Sequence, residues 1–147
     1  MTTGKKHKIE ELKPEDFPQA FPLISQLRTD LSLAQYIEMA KEMQAAGYRV
    51  LCLFEDEKIV AYAGFAKQVN LYYGRYIWVY DLVTDKERRS KGYGKHLLSH
   101  IEALAKEEGV NCVALSSGIK REETHRFYEN KMDYDIVSYV FKKNLME

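Results

Sequence analysis

The sequence predicts an α+β domain in which a mixed, mostly antiparallel sheet is flanked by helices, in the order β-α-α-β-β-β-α-β-α-β. Three observations lead there. Two helix-period segments near the N-terminus are followed by three strand-like runs between residues 48 and 84, joined by short turns, which is the pattern of antiparallel hairpins. A helix-period stretch then separates the runs 76–84 and 112–115, as a right-handed parallel crossover requires. No internal repeat, low-complexity tract or Pro/Gly/Ser-rich linker divides the chain, so residues 1–147 read as one domain.

Taken in order, residues 8–12 form a short strand that Pro14 ends, and Asp16 caps an apolar helical pattern at Phe17, Ala20, Phe21, Ile24 and Leu27. Pro18 suits a first turn, whereas Pro22 delays or kinks the helix. The next helix is punctuated by a capping box of Ser32 and Gln35 and a staple of Leu31 with Tyr36; Leu33, Ile37 and Ala40 make its buried stripe and Gly47 ends it. Residues 48–54 and 59–69 are rich in strand formers and flank a charged turn at 55–58. After the turn Tyr72-Tyr73-Gly74-Arg75 comes a third run, 76–84. A charged stretch, 85–91, leads into a helix with apolar positions Leu97, Leu98, Ile101, Leu104 and Ala105, stopped by Gly109. Residues 112–115 read as a buried strand, 121–130 as a helix and 137–143 as a final strand.

Composition narrows the function classes. With 22 Lys+Arg against 22 Asp+Glu in 147 residues, the chain has no net field to draw nucleic acid or an anionic membrane. No run approaches the roughly 18 apolar residues of a membrane span, and no apolar segment follows the basic N-terminus, so neither a membrane partner nor secretion is expected. Cys52 and Cys112 both lie in apolar runs, where a free thiol packs as a small hydrophobe; they make neither a disulfide framework nor a zinc site. The expected location is the cytoplasm. His96 and His100 stand i,i+4 on one helix without a third ligand, so no metal is expected. The basic run 86–95 lacks an aromatic platform for bases, so no nucleic-acid partner is expected.

The strongest chemical signal follows the third strand. Arg89-Ser90-Lys91-Gly92-Tyr93-Gly94-Lys95 runs directly into a helix. Glycines there turn free backbone amides toward one point and the helix N-terminus adds partial positive charge, which suits a pyrophosphate; Arg88, Arg89, Lys91 and Lys95 add formal charge. The same residues alone fit a solvated turn. The loop is neither a Walker loop nor a dinucleotide fingerprint.

Arg89-Ser90-Lys91-Gly92-Tyr93-Gly94 resembles the Gln/Arg-x-x-Gly-x-Gly/Ala loop of the GCN5-related N-acetyltransferase family at every fixed position. Ser116-Ser117-Gly118, followed by a helix ending His125-Arg126-Phe127-Tyr128-Glu129, is similar to a second feature of that family, a Phe/Leu-Tyr-Glu signature. The resemblance runs through nearly the whole chain. It departs at Asn130-Lys131-Met132-Asp133-Tyr134, where the family usually has a glycine, and at Arg121, where many members have Asn. Of the residues at the first departure, Asp133 tolerates a left-handed turn better than Met132.

The resemblance implies transfer of an acetyl group from acetyl-CoA to an amine, which attacks the thioester directly. The acceptor would be a small amine, polyamine or peptide amino group. It implies that Leu82, Val83 and Thr84 of the strand, with Arg89, Ser90, Lys91, Gly92, Tyr93, Gly94 and Lys95, hold acetyl-CoA, with a backbone N–H near Val83 at the oxyanion. It further implies that Tyr128 protonates the departing thiolate, that the loop at Arg28, Thr29 and Asp30 overhangs the acceptor, and that a homodimer is an available assembly. Asp81 interrupts an apolar strand just before the acetyl position; it reads either as the base that deprotonates the ammonium or as a strand-end Asp bonded to backbone. Tyr80, on one face with Tyr76 and Trp78, either lines an amine slot by cation–π contact or belongs to the core. Two rival functions share these residues: a non-catalytic CoA-binding sensor or scaffold, and transfer of a different acyl group.

Overall fold

The apolar runs form one five-stranded sheet in the order β1-β2-β3-β4-β5, built from β1 (His7–Glu11), β2 (Arg49–Glu55), β3 (Lys58–Asn70), β4 (Gly74–Thr84) and β5 (Cys112–Leu115). The first four strands are antiparallel neighbours, and β5 pairs parallel to β4. This computed structural model describes residues 6–89 and 91–146, which fall into two compact units, Met1–Leu115 and Ser116–Glu147. The sheet lies wholly in the first.

Strands β2 and β3 are buried on both faces, and their alternation divides two cores. Val50, Cys52 and Tyr62 join one cluster with Phe17, Ile24, Tyr36 and Ala40 from the N-terminal helices. On the other side, α3 (Tyr93–Glu107) packs against β2, β3 and β4 through the buried side chains Leu97, Leu98, Ile101 and Ala105. Each such aliphatic burial contributes about 1.5–3 kcal/mol. That offsets a missing N-terminal cap, worth about 1 kcal/mol, because Gly92 has no side chain to cap α3.

The N-terminal helical segment is split by its prolines. Residues Pro14–Ala20 form a 3-10 helix, and the α-helix α1 (Phe21–Leu27) starts only where Pro22 falls in its first turn, where a missing N–H costs nothing. Asp16 therefore caps no α-helix. In α2 (Leu33–Ala45) the capping box is present in both directions: Gln35 N–H donates to Ser32 Oγ at 3.1 Å and Ser32 N–H to Gln35 Oε1 at 2.9 Å. The buried stripe is Tyr36 and Ala40 rather than Leu33, which is exposed: residue 33 stands at the start of the helix, a turn before the face that meets the sheet. Gly47 and Gly109 end α2 and α3 with φ of 104° and 70°.

In the second unit α4 (Glu122–Arg126) continues into a single π-helical turn, Phe127–Lys131. Asp133 takes the left-handed conformation, φ 58°, at the position where the family's glycine is missing. The final strand expected at 137–143 is not formed. Residues 133–146 carry no ladder: a strand needs partner N–H and C=O groups, and among the described residues of this unit no other strand supplies them.

Candidate active site

A one-residue irregularity in β4 organises the site. Gly64 of β3 stands opposite Asp81 and Phe65 opposite Val79, so Tyr80 is the extra residue of a β-bulge. In a regular strand Tyr80 and Asp81 would face opposite sides; the bulge lets both line one cavity with α1 and α2. The cavity has a volume of about 240 Å³. Ile24, Leu31, Met39 and Met43 supply apolar wall.

Asp81 is the polar end of this cavity. Its Oδ2 accepts the Tyr48 hydroxyl at 2.7 Å, and its Oδ1 accepts Arg28 Nε at 3.0 Å and pairs with a terminal guanidinium nitrogen at 2.9 Å. The same guanidinium donates to the Tyr80 carbonyl at 2.9 Å. Behind Tyr48 runs a hydroxyl chain: Tyr48 and Tyr62 are 2.9 Å apart, Tyr62 and Tyr36 3.0 Å. Burial pushes all three phenols upward, Tyr36 to about 12, with Asp81 raising Tyr48 further. Each remains a neutral donor at any ordinary pH. Tyr80 meets Tyr48 edge-on at 5.5 Å between ring centres, and Gln68 donates to its hydroxyl.

Beyond Val79 the other side of β4 has no ladder partner among the described residues. Its ladder with β5 covers only Tyr76, Ile77, Trp78 and Val79. Asp85 N–H bonds the Val60 carbonyl on the β3 side, and antiparallel alternation then turns Val83 N–H toward β3 and those of Leu82 and Thr84 outward. The amides facing the edge are thus the two that flank Val83.

The glycine loop follows at the end of this edge. Gly92 has φ 79°, a conformation that only residues without a β-carbon take readily, and a Cβ there would meet nothing within 4 Å. α3 begins after it, and among the described residues no side chain caps its first amides. Arg89, Lys91 and Lys95 are exposed and form no ion pair among the described residues, and Gly94 is half-buried in the first turn. Ser90 lies outside the described residues. This combination of free amides, helix dipole and loose cations fits a pyrophosphate.

One cation of the basic run, Arg88, and the loop's Tyr93 serve the protein instead. Arg88 bonds the buried Glu55 at 3.1 Å and Asp85 at 3.0 Å, which holds its guanidinium charged, and Tyr93 donates to the other Glu55 oxygen at 2.6 Å. Asp85 in turn accepts Gln26 and the Glu87 N–H; against the upward push of burial, these contacts and the cations Lys58 and Arg88 hold its carboxyl below the usual range. Sequence reasoning counted Arg88 among the ligand-facing cations. The buried acid at position 55, placed by strand β2, draws it inward, and its contact with Tyr93 fixes the start of α3.

In the second unit, Tyr128 lies in the π turn, with Phe127 and Tyr134 at ring distances of 5.2 and 5.8 Å and Tyr134 N–H on its carbonyl at 2.8 Å. Burial pushes its hydroxyl up to about 12. His125 Nε2 lies 2.8 Å from the Gly118 carbonyl and so ties the helix to the preceding loop. His96 and His100 are exposed on α3.

Both cysteines behave as apolar side chains, with burial raising the Cys52 thiol to about 12 and Cys112 in the same direction.

Residues 7–134 match the profile of the acetyltransferase (GNAT) family. An uncharacterised N-acetyltransferase of Bacillus subtilis, YhdJ, is 38% identical over 130 residues, 88% of this chain and 92% of that protein. Among solved structures, the aminoglycoside N-acetyltransferase AAC(6')-Iy in complex with CoA superposes with a TM-score of 0.86 at 12% identity over 99% of both chains. A GNAT family acetyltransferase of Staphylococcus aureus gives 0.75 at 24% identity, over 95% of this chain and 98% of that one. The last two show a shared fold. The profile match over most of the chain and the B. subtilis relative place this protein in the GNAT acetyltransferase family.

Proposed function

We propose that this protein is an N-acetyltransferase that uses acetyl-CoA and an amine acceptor, working as a single domain in the cytoplasm. The observation that carries the reading is the meeting, on one strand, of an open amide edge leading to a glycine-started helix and a carboxylate in a small cavity. Bound acetyl-CoA supplies an acetyl thioester that a free amine attacks, with the CoA thiolate as leaving group.

The chain's own residues divide the remaining work. The amides of Gly92, Tyr93 and Gly94, with Arg89, Ser90, Lys91 and Lys95, hold the pyrophosphate; Leu82, Val83 and Thr84 hold the arm and acetyl end. Outward N–H groups of Leu82 and Thr84 donate to the oxygen on which charge builds, a role worth about 3–4 kcal/mol per donor in acyl transfer. Asp81 receives the ammonium proton and Tyr80 walls the amine. Tyr128 donates a proton to the departing sulfur. With its hydroxyl near 12 against a thiol near ~8.5, complete transfer lies uphill by about 5 kcal/mol, so the proton moves as the C–S bond breaks. No helix among the described residues is long and apolar enough to cross a membrane.

The test is thiol release from acetyl-CoA across monoamines, polyamines, aminoglycosides and peptide N-termini. Acetylated amine formed in step with free CoA is the expected result. Tight CoA binding without turnover on any acceptor would instead favour a sensor or scaffold.

A further inference from the structure

The cavity between α1, α2 and β4 already holds a cation of its own chain. Arg28 lies on Asp81 Oδ1 and on the Tyr80 carbonyl, where an incoming ammonium would find its carboxylate. We infer that the cavity takes a compact primary monoamine with an apolar body, whose ammonium displaces the Arg28 guanidinium from Asp81. The inference rests on the proposed acceptor site and names its substrate class.

Three observations carry it. First, the cavity's volume of about 240 Å³ falls below the roughly 300–1,000 Å³ of pockets for drug-sized ligands, so one small body fills it. Second, its wall offers a single carboxylate: Asp81 balances one positive charge, and a second ammonium held within the cavity would meet Ile24, Leu31 or Met43 instead of a partner. The Tyr36 and Tyr48 hydroxyls are engaged with Tyr62 and with Asp81, which leaves the wall poorly suited to a polyhydroxylated ligand. Third, the two groups on Asp81 differ in how firmly they are held. Tyr48 is buried and fixed by Tyr62, whereas Arg28 stands at the C-cap of the seven-residue α1 with half its side chain exposed. Only the Arg28 side of the pair is open to water, 50% exposed against 13% for Asp81, so the pair parts from that side. Tyr48 therefore keeps the carboxylate aimed while Arg28 swings into water, and Arg28 acts as a competitor that a weaker cation would not dislodge.

Calorimetric titration of the full chain, with and without saturating CoA, tests this with 2-phenylethylamine, spermidine and the neutral 2-phenylethanol. The amine should bind at least ten-fold more tightly than either alternative. Arg28→Gln should tighten 2-phenylethylamine about three- to five-fold and leave 2-phenylethanol unchanged, a difference that a merely structural role would not produce. Spermidine or the alcohol binding as well as the monoamine, no heat from millimolar monoamine in either state, or weaker monoamine binding by Arg28→Gln would overturn the inference. Monoamine binding without thiol release from acetyl-CoA would count against acetyl transfer while leaving the cation exchange standing.

Discussion

Tyr128, the proposed acid, is the residue at which the proposed catalysis and CoA binding can be told apart. Its hydroxyl, raised to about 12 by burial, stays protonated across the working range and remains available as an acid. Tyr128→Phe should lower kcat ten-fold or more, about what general acid catalysis supplies, with CoA affinity unchanged by calorimetry. The same shift gives a pH signature: turnover should rise as the amine loses its proton and hold through pH 10, where an unshifted tyrosine would begin to ionise and turnover to fall. A kcat that declines from pH 9 to 10 when measured at saturating amine would remove Tyr128 as the acid. The tyrosine was legible in the sequence as part of Phe127-Tyr128-Glu129, but its π turn was not, because one extra residue in a turn leaves no periodic trace over so short a helix. Asp81 was legible as a misfit in an apolar strand. Its partner Arg28, fifty-three residues away, was expected only as an overhanging loop residue.

At the scale of elements, the glycine loop and the β4 bulge make separate demands. Gly92→Glu adds a carboxylate and a strained left-handed backbone, at roughly 1–2 kcal/mol, where free amides and cations would face the proposed pyrophosphate. CoA binding should be lost while the melting temperature moves by only a few degrees; calorimetry that still finds wild-type affinity would refute the loop assignment. Gly64 has a different reason to be glycine. A Cβ there would run into the Tyr48 hydroxyl, the group that holds Asp81. Gly64→Ala should push Tyr48 from its place, destabilise the protein by about 1–3 kcal/mol as overpacking does, and raise the amine KM more than that of acetyl-CoA. Denaturant melts and two-substrate kinetics measure both effects. Strand runs and the Ser32 capping box could be read directly, since local spacing decides them. The bulge could not: it depends on the register between two strands, which their individual sequences leave open.

For the whole molecule, the buried hydroxyl chain makes stability depend on alkaline pH. Tyr36, Tyr48 and Tyr62 keep their protons in the fold where the unfolded chain releases them near pH 10. Their contribution is complete below pH 10 and declines above it, each tyrosine costing about 1.4 kcal/mol per pH unit within its window, which for Tyr36 closes near 12. Urea midpoints from pH 8 to 11.5 should be flat and then fall steeply, and Tyr36→Phe should make the fall shallower by about one proton. The sequence by itself determined the fold class, the order of elements through α4, the glycine loop and the family resemblance, because hydrophobic period, caps and turn residues act over a few neighbours. Only the tertiary structure decided that Arg88 turns inward to Glu55, that Arg28 occupies Asp81, that three tyrosines share one chain of hydroxyls, and that residues 133–146 form no ladder. Each of these depends on which groups meet across the sheet, and electrostatics and desolvation act between whatever the fold brings within a few ångströms, regardless of their distance along the chain.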